Sequence, residues 1–242
     1  MNLEIKKDLT SNWFKTLQES FCDDIIKFEK NKTKFKSTNW RRNTKVDEGG
    51  GEYRILQGGK IFEKVGVNFS KVYGKFPKQF QKNILGANKD PRFWASGISV
   101  VMHMKNPLIP AMHFNTRFIC TTHEWFGGGM DLTPCLDDEK FKVKYHQELK
   151  KICDLYDTTW YDKFSKACDE YFYLPHRKET RGIGGLFFEY YSPEDMDFKF
   201  VERMGIKFAD VMRTTAINYM NNNYTDEHKD IQYKQGRVIY HQ

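Results

Sequence analysis

Two stretches of the sequence alternate apolar residues with residues that can transfer protons or bind anions. They cover residues 97–105 and 111–119, and a short turn with two prolines joins them. The polar residues at their odd positions are Ser99, His103, His113, Asn115 and Arg117. Because successive side chains of a strand point to opposite faces, pairing in the right register would bring these groups onto one sheet face. An ordinary amphipathic sheet with its polar face in water is the alternative.

Three consecutive glycines precede the carboxylate of Asp131 within residues 125–134. Glycine removes side chains where a ligand approaches the backbone closely. A carboxylate beside such bare backbone can accept hydrogen bonds from the N–H donors of a flat ligand. The alternative is a bulge or tight bend in which Asp131 caps a turn.

Histidines and arginines in other segments suggest two further kinds of chemistry. Four histidines could together bind a metal ion, although none has the H-E-x-x-H spacing; they are His103, His113, His146 and His176. Arginines from separate segments suit bidentate binding of carboxylates, and they are Arg41, Arg42, Arg54, Arg117, Arg177 and Arg181. A ligand with several carboxylates would need several of them. The alternatives are structural or surface histidines and solvated arginines.

The remaining pattern predicts the elements that must position these residues. Apolar residues three and four apart predict a helix over residues 11–30 with Ser11 as its N-cap, and a basic loop over residues 31–42 follows. The other predicted elements are strands at 52–56, 60–65, 67–73 and 183–191, and helices from 137 or 138, at 158–172 and at 194–220. Strands first and helices later favour one α+β domain with an antiparallel sheet.

Composition excludes several classes of protein. The chain has 242 residues, 39% hydrophobic and 16% aromatic, so it is neither disordered nor collagen-like. Its five cysteines form no C-x-x-C pair, which argues against structural zinc and a disulfide framework. No apolar run approaches the roughly 18 residues of a membrane helix, and the N-terminus lacks a secretory signal. We therefore expect a soluble, cytoplasmic protein with no membrane span.

The net charge of +7 is compatible with an anionic partner, which could be nucleic acid, a lipid surface or a polycarboxylate. The basic stretch 30–42 makes nucleic acid one candidate, but acidic residues are interleaved elsewhere and no nucleic-acid-binding module is recognisable. No nucleic-acid partner is therefore predicted. A hydrolase with a histidine-bound metal is a further alternative.

Taken together, several segments resemble the oxygen-dependent coproporphyrinogen III oxidase family of haem biosynthesis. The resemblance covers most of the chain from about residue 40 to 220, and several matching stretches are long. They are Gly49–Glu52 with Val65–Ser70, Gly97–Arg117, Trp125–Pro134, and Asp169–Tyr173 through His176 and Arg177 to Arg181–Phe188.

The resemblance implies a fold, a reaction and a set of partners. The fold is a single α+β domain over residues 1–242, with a large antiparallel β-sheet flanked by helices on both faces. In the reaction, dioxygen oxidatively decarboxylates two propionates of coproporphyrinogen III to vinyl groups, giving protoporphyrinogen IX. No organic cofactor is needed, in agreement with the missing nucleotide-binding fingerprint; a divalent metal cation is a further candidate. Family members form homodimers.

The resemblance also implies roles for individual residues. His113 matches the acid/base histidine, Asp131 matches the aspartate that holds the pyrrole N–H groups, and we expect Arg117 to act beside them in catalysis. The residues expected to contact substrate are Ser99, Asn115, Thr116 and Arg117. The residues that match divalent-metal ligands of bacterial members are His103, His113, His146 and His176.

Near its end the sequence departs from the family pattern. Family members continue past the Gly-Arg found here at 236–237 into another strand, a substrate-contacting Gly-Gly-Arg loop and a C-terminal dimer helix. This sequence has five further residues, ending at Gln242. We therefore expect a domain that lacks the family's C-terminal segment and its dimer contact. The alternative function is a truncated, catalytically weak or inactive tetrapyrrole-binding homologue.

Overall fold

A computed structural model describes residues 2–29 and 33–239, which contain nine strands and five helices. The strands are β1 (Lys36–Arg41), β2 (Gly49–Gln57), β3 (Phe62–Lys75), β4 (Arg92–Met104), β5 (Ala111–Cys120), β6 (Glu124–Thr133), β7 (Tyr173–Leu174), β8 (Glu179–Thr180) and β9 (Gly185–Tyr191). The helices are α1 (Leu3–Glu29), α2 (Glu139–Asp154), α3 (Trp160–Tyr171), α4 (Phe198–Tyr219) and α5 (Asp226–Ile239). None of the helices in these ranges has both the length and the apolar character to cross a membrane.

Seven strands form one antiparallel sheet in the order β1-β2-β3-β4-β5-β6-β9. Six of them are consecutive in the chain, and β9 joins the edge at β6 after α2, α3 and the β7–β8 hairpin. Helices pack against this sheet. The predicted α+β class, with one large antiparallel sheet in a single domain, is confirmed.

The apolar face of the sheet is covered by α1 and α4. The buried stripe of α1, at helical spacing, consists of Phe14, Leu17, Phe21 and Ile25. Phe21 meets the Phe114 ring of β5 edge-on, and Phe114 stacks on Phe208 of α4 with ring centroids 5.1 Å apart. Each such aromatic pair adds about 0.5–1.5 kcal/mol beyond the area it buries. The helices α2 and α3 pack on each other and against β9, so they lie at the β9 edge of the sheet.

Helix starts show where sequence patterns succeed and fail. As predicted, α2 begins after Asp138, whose carboxylate accepts a hydrogen bond from the Phe141 N–H. The N-cap prediction for α1 is wrong: the helix begins at Leu3, the Asn2 side chain accepts a hydrogen bond from the Glu4 N–H, and Ser11 is buried inside the helix. The first eight residues are too polar to reveal helical periodicity.

Two further predictions are wrong because they ignored long-range pairing, and one helix was not predicted at all. Residues 36–41, predicted as loop, form the edge strand β1, since the neighbouring strand β2 supplies its hydrogen bonds. The strands predicted at 60–65 and 67–73 are one long strand, β3, paired on both sides. The helix α5 lies where no element was predicted.

Candidate active site

The register of the central strands places the polar residues of β4 and β5 on one face, as predicted. Ser99 of β4 lies opposite Asn115 of β5, and His113 of β5 lies opposite Asp131 of β6. Phe114, which alternates with them, points into the core on the other face. The apolar face is thus covered by helices, and the polar face carries groups that can transfer protons or bind anions.

Asp131 carries a carboxylate that is only 1% exposed. The Arg181 guanidinium donates hydrogen bonds to both oxygens. Its Nη2 lies 2.8 Å from Oδ1 and 2.7 Å from Oδ2, and its Nε lies 3.0 Å from Oδ2. His113 Nδ1 lies 2.7 Å from Oδ1. A buried carboxylate needs pairing and hydrogen bonds to be tolerated, and here these two side chains provide them. They occupy about as many acceptor directions as a carboxylate has.

Arg181 reaches Asp131 from the segment that follows the β7–β8 hairpin. Its guanidinium carbon lies 3.7 Å from the centroid of the Phe172 ring. The Phe172 and His113 rings are nearly perpendicular, with their centroids 5.8 Å apart. The Arg181 N–H also donates to the Phe172 carbonyl. A cation–π contact, a salt bridge and a backbone hydrogen bond therefore hold this arginine over the polar face.

The hydrogen-bond network assigns the tautomer of His113. Asn115 Nδ2 lies 3.3 Å from His113 Nε2, and an amide nitrogen donates. Nε2 is therefore the accepting nitrogen, and Nδ1 carries the proton donated to Asp131. This arrangement orients the imidazole, and its single Nε2 lone pair accepts the Asn115 N–H. That amide must turn away before Nε2 can act as a general base.

Arg117 continues the network along β5. Its Nη1 donates to Asn115 Oδ1 at 3.0 Å, and its Nη2 donates to Glu189 Oε2 of β9. Trp125 Nε1 of β6 donates to the other oxygen of Glu189 at 2.7 Å. An unbroken line of side-chain hydrogen bonds thus runs from the buried indole to Arg117, and through Asn115 to the imidazole and Asp131.

The glycine run of β6 allows very close approach of other parts of the protein, whereas the approach of a ligand stays a prediction. A Cβ at Gly127 would lie 2.5 Å from Glu189 Oε1, and at Gly128 and Gly129 it would lie 2.7 and 2.5 Å from backbone carbonyls of the neighbouring strands. Side chains therefore cannot be accommodated at these three positions without rearrangement. At Gly127 the group that uses the space is a carboxylate of the protein itself.

Two buried protonated groups lie near Asp131. Burial, with the Asp131 carboxylate as the second cause, raises the pKa of the Tyr145 hydroxyl well above its ordinary value. Burial and the same carboxylate raise the pKa of the Cys168 thiol. Both groups stay neutral at physiological pH, so the Arg181 guanidinium is the group that balances the Asp131 charge, and His113 adds a hydrogen bond.

Two residues expected to contact substrate lie on opposite faces. Ser99 is half-buried on the polar face, beside Asn115. Thr116 is 2% exposed on the helix-covered face, and its hydroxyl donates to the Gly127 carbonyl at 3.4 Å. The structure therefore brings Ser99 to the site and places Thr116 in the core.

The histidines expected as metal ligands are engaged in separate contacts. His146 Nε2 lies 2.7 Å from the Ile183 carbonyl, and its Nδ1 lies 3.0 Å from the Tyr161 hydroxyl. His113 is held by Asp131, as described above. These ring nitrogens serve protein hydrogen bonds rather than a common centre.

The other two histidines lie in different places. His103 is near the end of β4, where burial and then the Lys64 charge lower its pKa, and His176 is exposed in the β7–β8 turn. Within residues 2–29 and 33–239, which include all four, no three His, Cys, Asp or Glu side chains are placed to hold a metal ion. A metal site on these four histidines stays a prediction from the family resemblance.

The sequence analysis missed Glu189 and Phe172. The available signal for Glu189 was one acidic residue in an otherwise apolar predicted strand, which by itself indicates only a solvated edge. Phe172 gave no signal, because an aromatic residue at the end of a helix is usually part of the core. Their importance depends on contacts with Arg117 and Arg181 that only the fold creates.

Comparison with known proteins identifies the family of this chain. The family described as coproporphyrinogen III oxidase matches residues 9–241. An oxygen-dependent coproporphyrinogen-III oxidase of Rickettsia akari (strain Hartford) is 44% identical, over 96% of this chain and 86% of the relative. The protein of the same name from Rickettsia rickettsii (strain Sheila Smith) is 43% identical, over 99% of this chain and 88% of the relative. This chain belongs to the coproporphyrinogen III oxidase family.

Proposed function

We propose that this protein is an oxygen-dependent coproporphyrinogen III oxidase of haem biosynthesis, which converts two propionates of its substrate to vinyl groups. For each propionate, R–CH2CH2–COO⁻ + O2 + H⁺ gives R–CH=CH2 + CO2 + H2O2. The observation that carries this proposal, beside family membership, is the hydrogen-bonded line that joins Asp131, His113, Asn115 and Arg117 on one sheet face. It combines a base, an anion-binding group and a carboxylate at one place.

The base in this proposal is His113. Its Nε2 lone pair accepts the Asn115 N–H in this structure and becomes available to substrate when that amide turns away. The Asp131 carboxylate stabilises the imidazolium that forms when Nε2 takes a proton. The proton it removes is on the substrate carbon next to the pyrrole ring. Departure of CO2 from the neighbouring carbon, with transfer of two electrons to dioxygen, then forms the vinyl group.

Arg117 anchors the propionate that reacts. Its guanidinium uses Nη1 and Nη2 to bind Asn115 and Glu189, and its remaining N–H groups are available to a substrate carboxylate. Anchoring the carboxylate beside the base turns an encounter between separate groups into a reaction within one complex. Such placement alone accounts for several kcal/mol of barrier reduction, on the order of 7–11 in the best systems.

Asp131 has a second role in this proposal, toward the pyrrole N–H groups. In the structure its oxygens are occupied by Arg181 and His113. A guanidinium can exchange one carboxylate for another at small cost, so an arriving propionate draws Arg181 away from Asp131. The freed oxygens then accept the pyrrole N–H groups.

No step of this mechanism is assigned to a metal ion, because the expected histidine ligands are dispersed over the described structure. Assembly into the homodimer of the family is a separate question from this mechanism. Sedimentation of the purified protein measures it directly.

Anaerobic incubation with coproporphyrinogen III, followed by air and chromatography of the oxidised porphyrins, tests the function. We expect protoporphyrin only after air is admitted, with release of CO2 and peroxide. Substrate that binds but is recovered unchanged would contradict the proposal and favour the tetrapyrrole-binding alternative. The Asp137→Asn variant, at an exposed aspartate, is the control for handling of variants.

A further inference from the structure

The strand β9 contains one extra residue where it faces the glycine run of β6. Gly128 pairs with Phe188 and Phe126 pairs with Tyr191, so a single residue of β6 faces two residues of β9. The extra residue, Tyr190, has φ +63°. A bulky side chain in this left-handed region costs about 1–3 kcal/mol, and bulges of this kind re-aim side chains beside active sites.

The bulge decides which side chains of β9 reach the polar face. Phe188 and Tyr191 both pack on Phe164 in the core, with ring centroids 5.5 and 5.2 Å from it, although they are three positions apart. Regular alternation would put one of them on the opposite face. The extra residue lets both rings face the core, Phe188 buried and Tyr191 partly buried, while Glu189 stays on the polar face.

Two residues of β6 prepare the place that Glu189 takes. Gly127 has no side chain, and the Glu189 carboxylate crosses above it to reach Arg117 on the next strand but one. Trp125, 2% exposed and packed against the Tyr190 ring at 5.3 Å, donates its indole N–H to Glu189 Oε1. The bulge at Tyr190, the absence of a side chain at Gly127 and the N–H of the buried Trp125 indole together fix the position of the Glu189 carboxylate.

We propose that Glu189, fixed by Trp125, is a positioning residue that sets the direction of the Arg117 guanidinium toward the substrate. This inference rests on the proposed function and adds residues to it. Glu189 holds Nη2 while Asn115 holds Nη1, so the plane of the guanidinium is fixed at both ends. Without Glu189 the guanidinium keeps its charge and still attracts carboxylates, but it no longer holds them in the reactive direction.

This asymmetry predicts how the kinetic constants separate. Misplacement of a reacting group by about 1 Å costs on the order of 100-fold in rate. For Glu189→Gln we expect kcat to fall about 30-fold or more, while KM changes less than about threefold. Glu189→Asp, which keeps the charge, should recover most of the loss, and Trp125→Phe should lose only about three- to tenfold.

Gly127→Ala tests the same geometry by displacing the Glu189 carboxylate while residue 189 itself stays a glutamate. Its Cβ would lie 2.5 Å from Glu189 Oε1, so the carboxylate must move and kcat should fall as it does in Glu189→Gln. The matched control is Glu194→Gln, an exposed glutamate between β9 and α4, which should keep wild-type kcat and KM. Wild-type constants in both Glu189→Gln and Gly127→Ala would overturn the proposal.

A double-mutant cycle with Arg117→Lys separates positioning from general damage. Lysine keeps the positive charge but cannot be oriented by two partners. If Glu189 acts through Arg117, Glu189→Gln should lower kcat less than about threefold further in the Arg117→Lys background. A full 30-fold loss in that background would show that Glu189 acts elsewhere and would overturn the proposal.

A spectroscopic measurement keeps this test independent of turnover. In 15N-labelled protein, Trp125→Phe identifies the Trp125 indole signal, and Glu189→Gln should shift that signal because its acceptor loses charge. An unchanged signal would overturn the proposed contact. Wild-type protein that shows this contact but forms no protoporphyrin would contradict the proposed function and leave the positioning of Arg117 intact.

Discussion

Glu29 at the end of α1 and Asp131 in the middle of β6 are both 1% exposed, and both carry buried carboxylates. Glu29 accepts hydrogen bonds from the backbone N–H groups of Lys60, Ile61 and Phe62 at 2.5, 3.0 and 2.7 Å. These donors belong to the connection between β2 and β3 and to the first residue of β3, so Glu29 ties the end of a helix to a turn of the sheet.

Asp131 differs in the kind of partner it has. Its partners are the side chains of His113 and Arg181, which come from β5 and from the segment after β8. Backbone donors cannot leave or change charge, whereas an imidazole can transfer a proton and a guanidinium can exchange carboxylates. A buried carboxylate on backbone groups therefore indicates a structural role, and one on mobile ionisable groups indicates chemistry.

The largest expected effect is on the Asp131 side of this comparison. Asp131→Asn keeps the shape but removes the charge, so His113 loses its orienting partner and Arg181 its counter-ion. We expect kcat to fall on the order of 10³-fold, as for removal of a preorganised charged partner, while circular dichroism shows a folded protein. If Asp131→Asn keeps kcat within about threefold of wild type, the proposed difference in role between Asp131 and Glu29 is wrong. Asp137→Asn is the control.

Glu29→Gln should have the opposite profile. An amide offers one accepting oxygen instead of two and no charge, so we expect about 2–3 kcal/mol lower stability in urea denaturation. The kcat of the folded protein should stay unchanged. Gly59→Ala, whose Cβ would lie 2.4 Å from Glu29 Oε1, should destabilise similarly, and Glu19→Gln, exposed on the same helix, should not. A loss of kcat with full stability in Glu29→Gln would contradict this assignment.

A third carboxylate, Glu52 of β2, sharpens the comparison with the smallest expected effect. Hydrogen bonds from Arg54 first, and then from Lys15 and Ser37, lower its pKa from 4.5 to about 2. A depressed carboxyl pKa stabilises the fold above pH 4.5, and this contribution is lost as pH falls toward 2. Because the pair lies near the surface, solvent screening limits it to about 1 kcal/mol.

Urea denaturation at several pH values measures the contribution of Glu52. Glu52→Gln should be less stable than wild type by this small amount at pH 7, and the difference should shrink as pH falls from 4.5 to 2. A stability difference between the two proteins that grows on acidification would show that folding does not lower the pKa of Glu52.

Period-two alternation was enough to predict the polar face, because side-chain direction along a strand is a local property. The same alternation places Thr116 with the apolar residues, as the structure does. Its contact with substrate stays a prediction from the family resemblance. Glu189 was not predictable, since its direction depends on a bulge created by packing of Phe188 and Tyr191 on α3. Clustering of the four histidines was equally a question of long-range placement, which spacing in a sequence does not encode.

The glycine triplet of β6 has a consequence for how this protein tolerates change. Glycine is a poor strand former, costing roughly 0.5–1 kcal/mol relative to alanine at each interior position. β6 therefore owes its extended conformation to β5 and β9 on either side. Loosening of either neighbour, even by a substitution remote from any reacting group, would propagate to the strand that bears Asp131. Inherited or engineered variants in β9 should for this reason behave as defects in turnover before they behave as defects in folding.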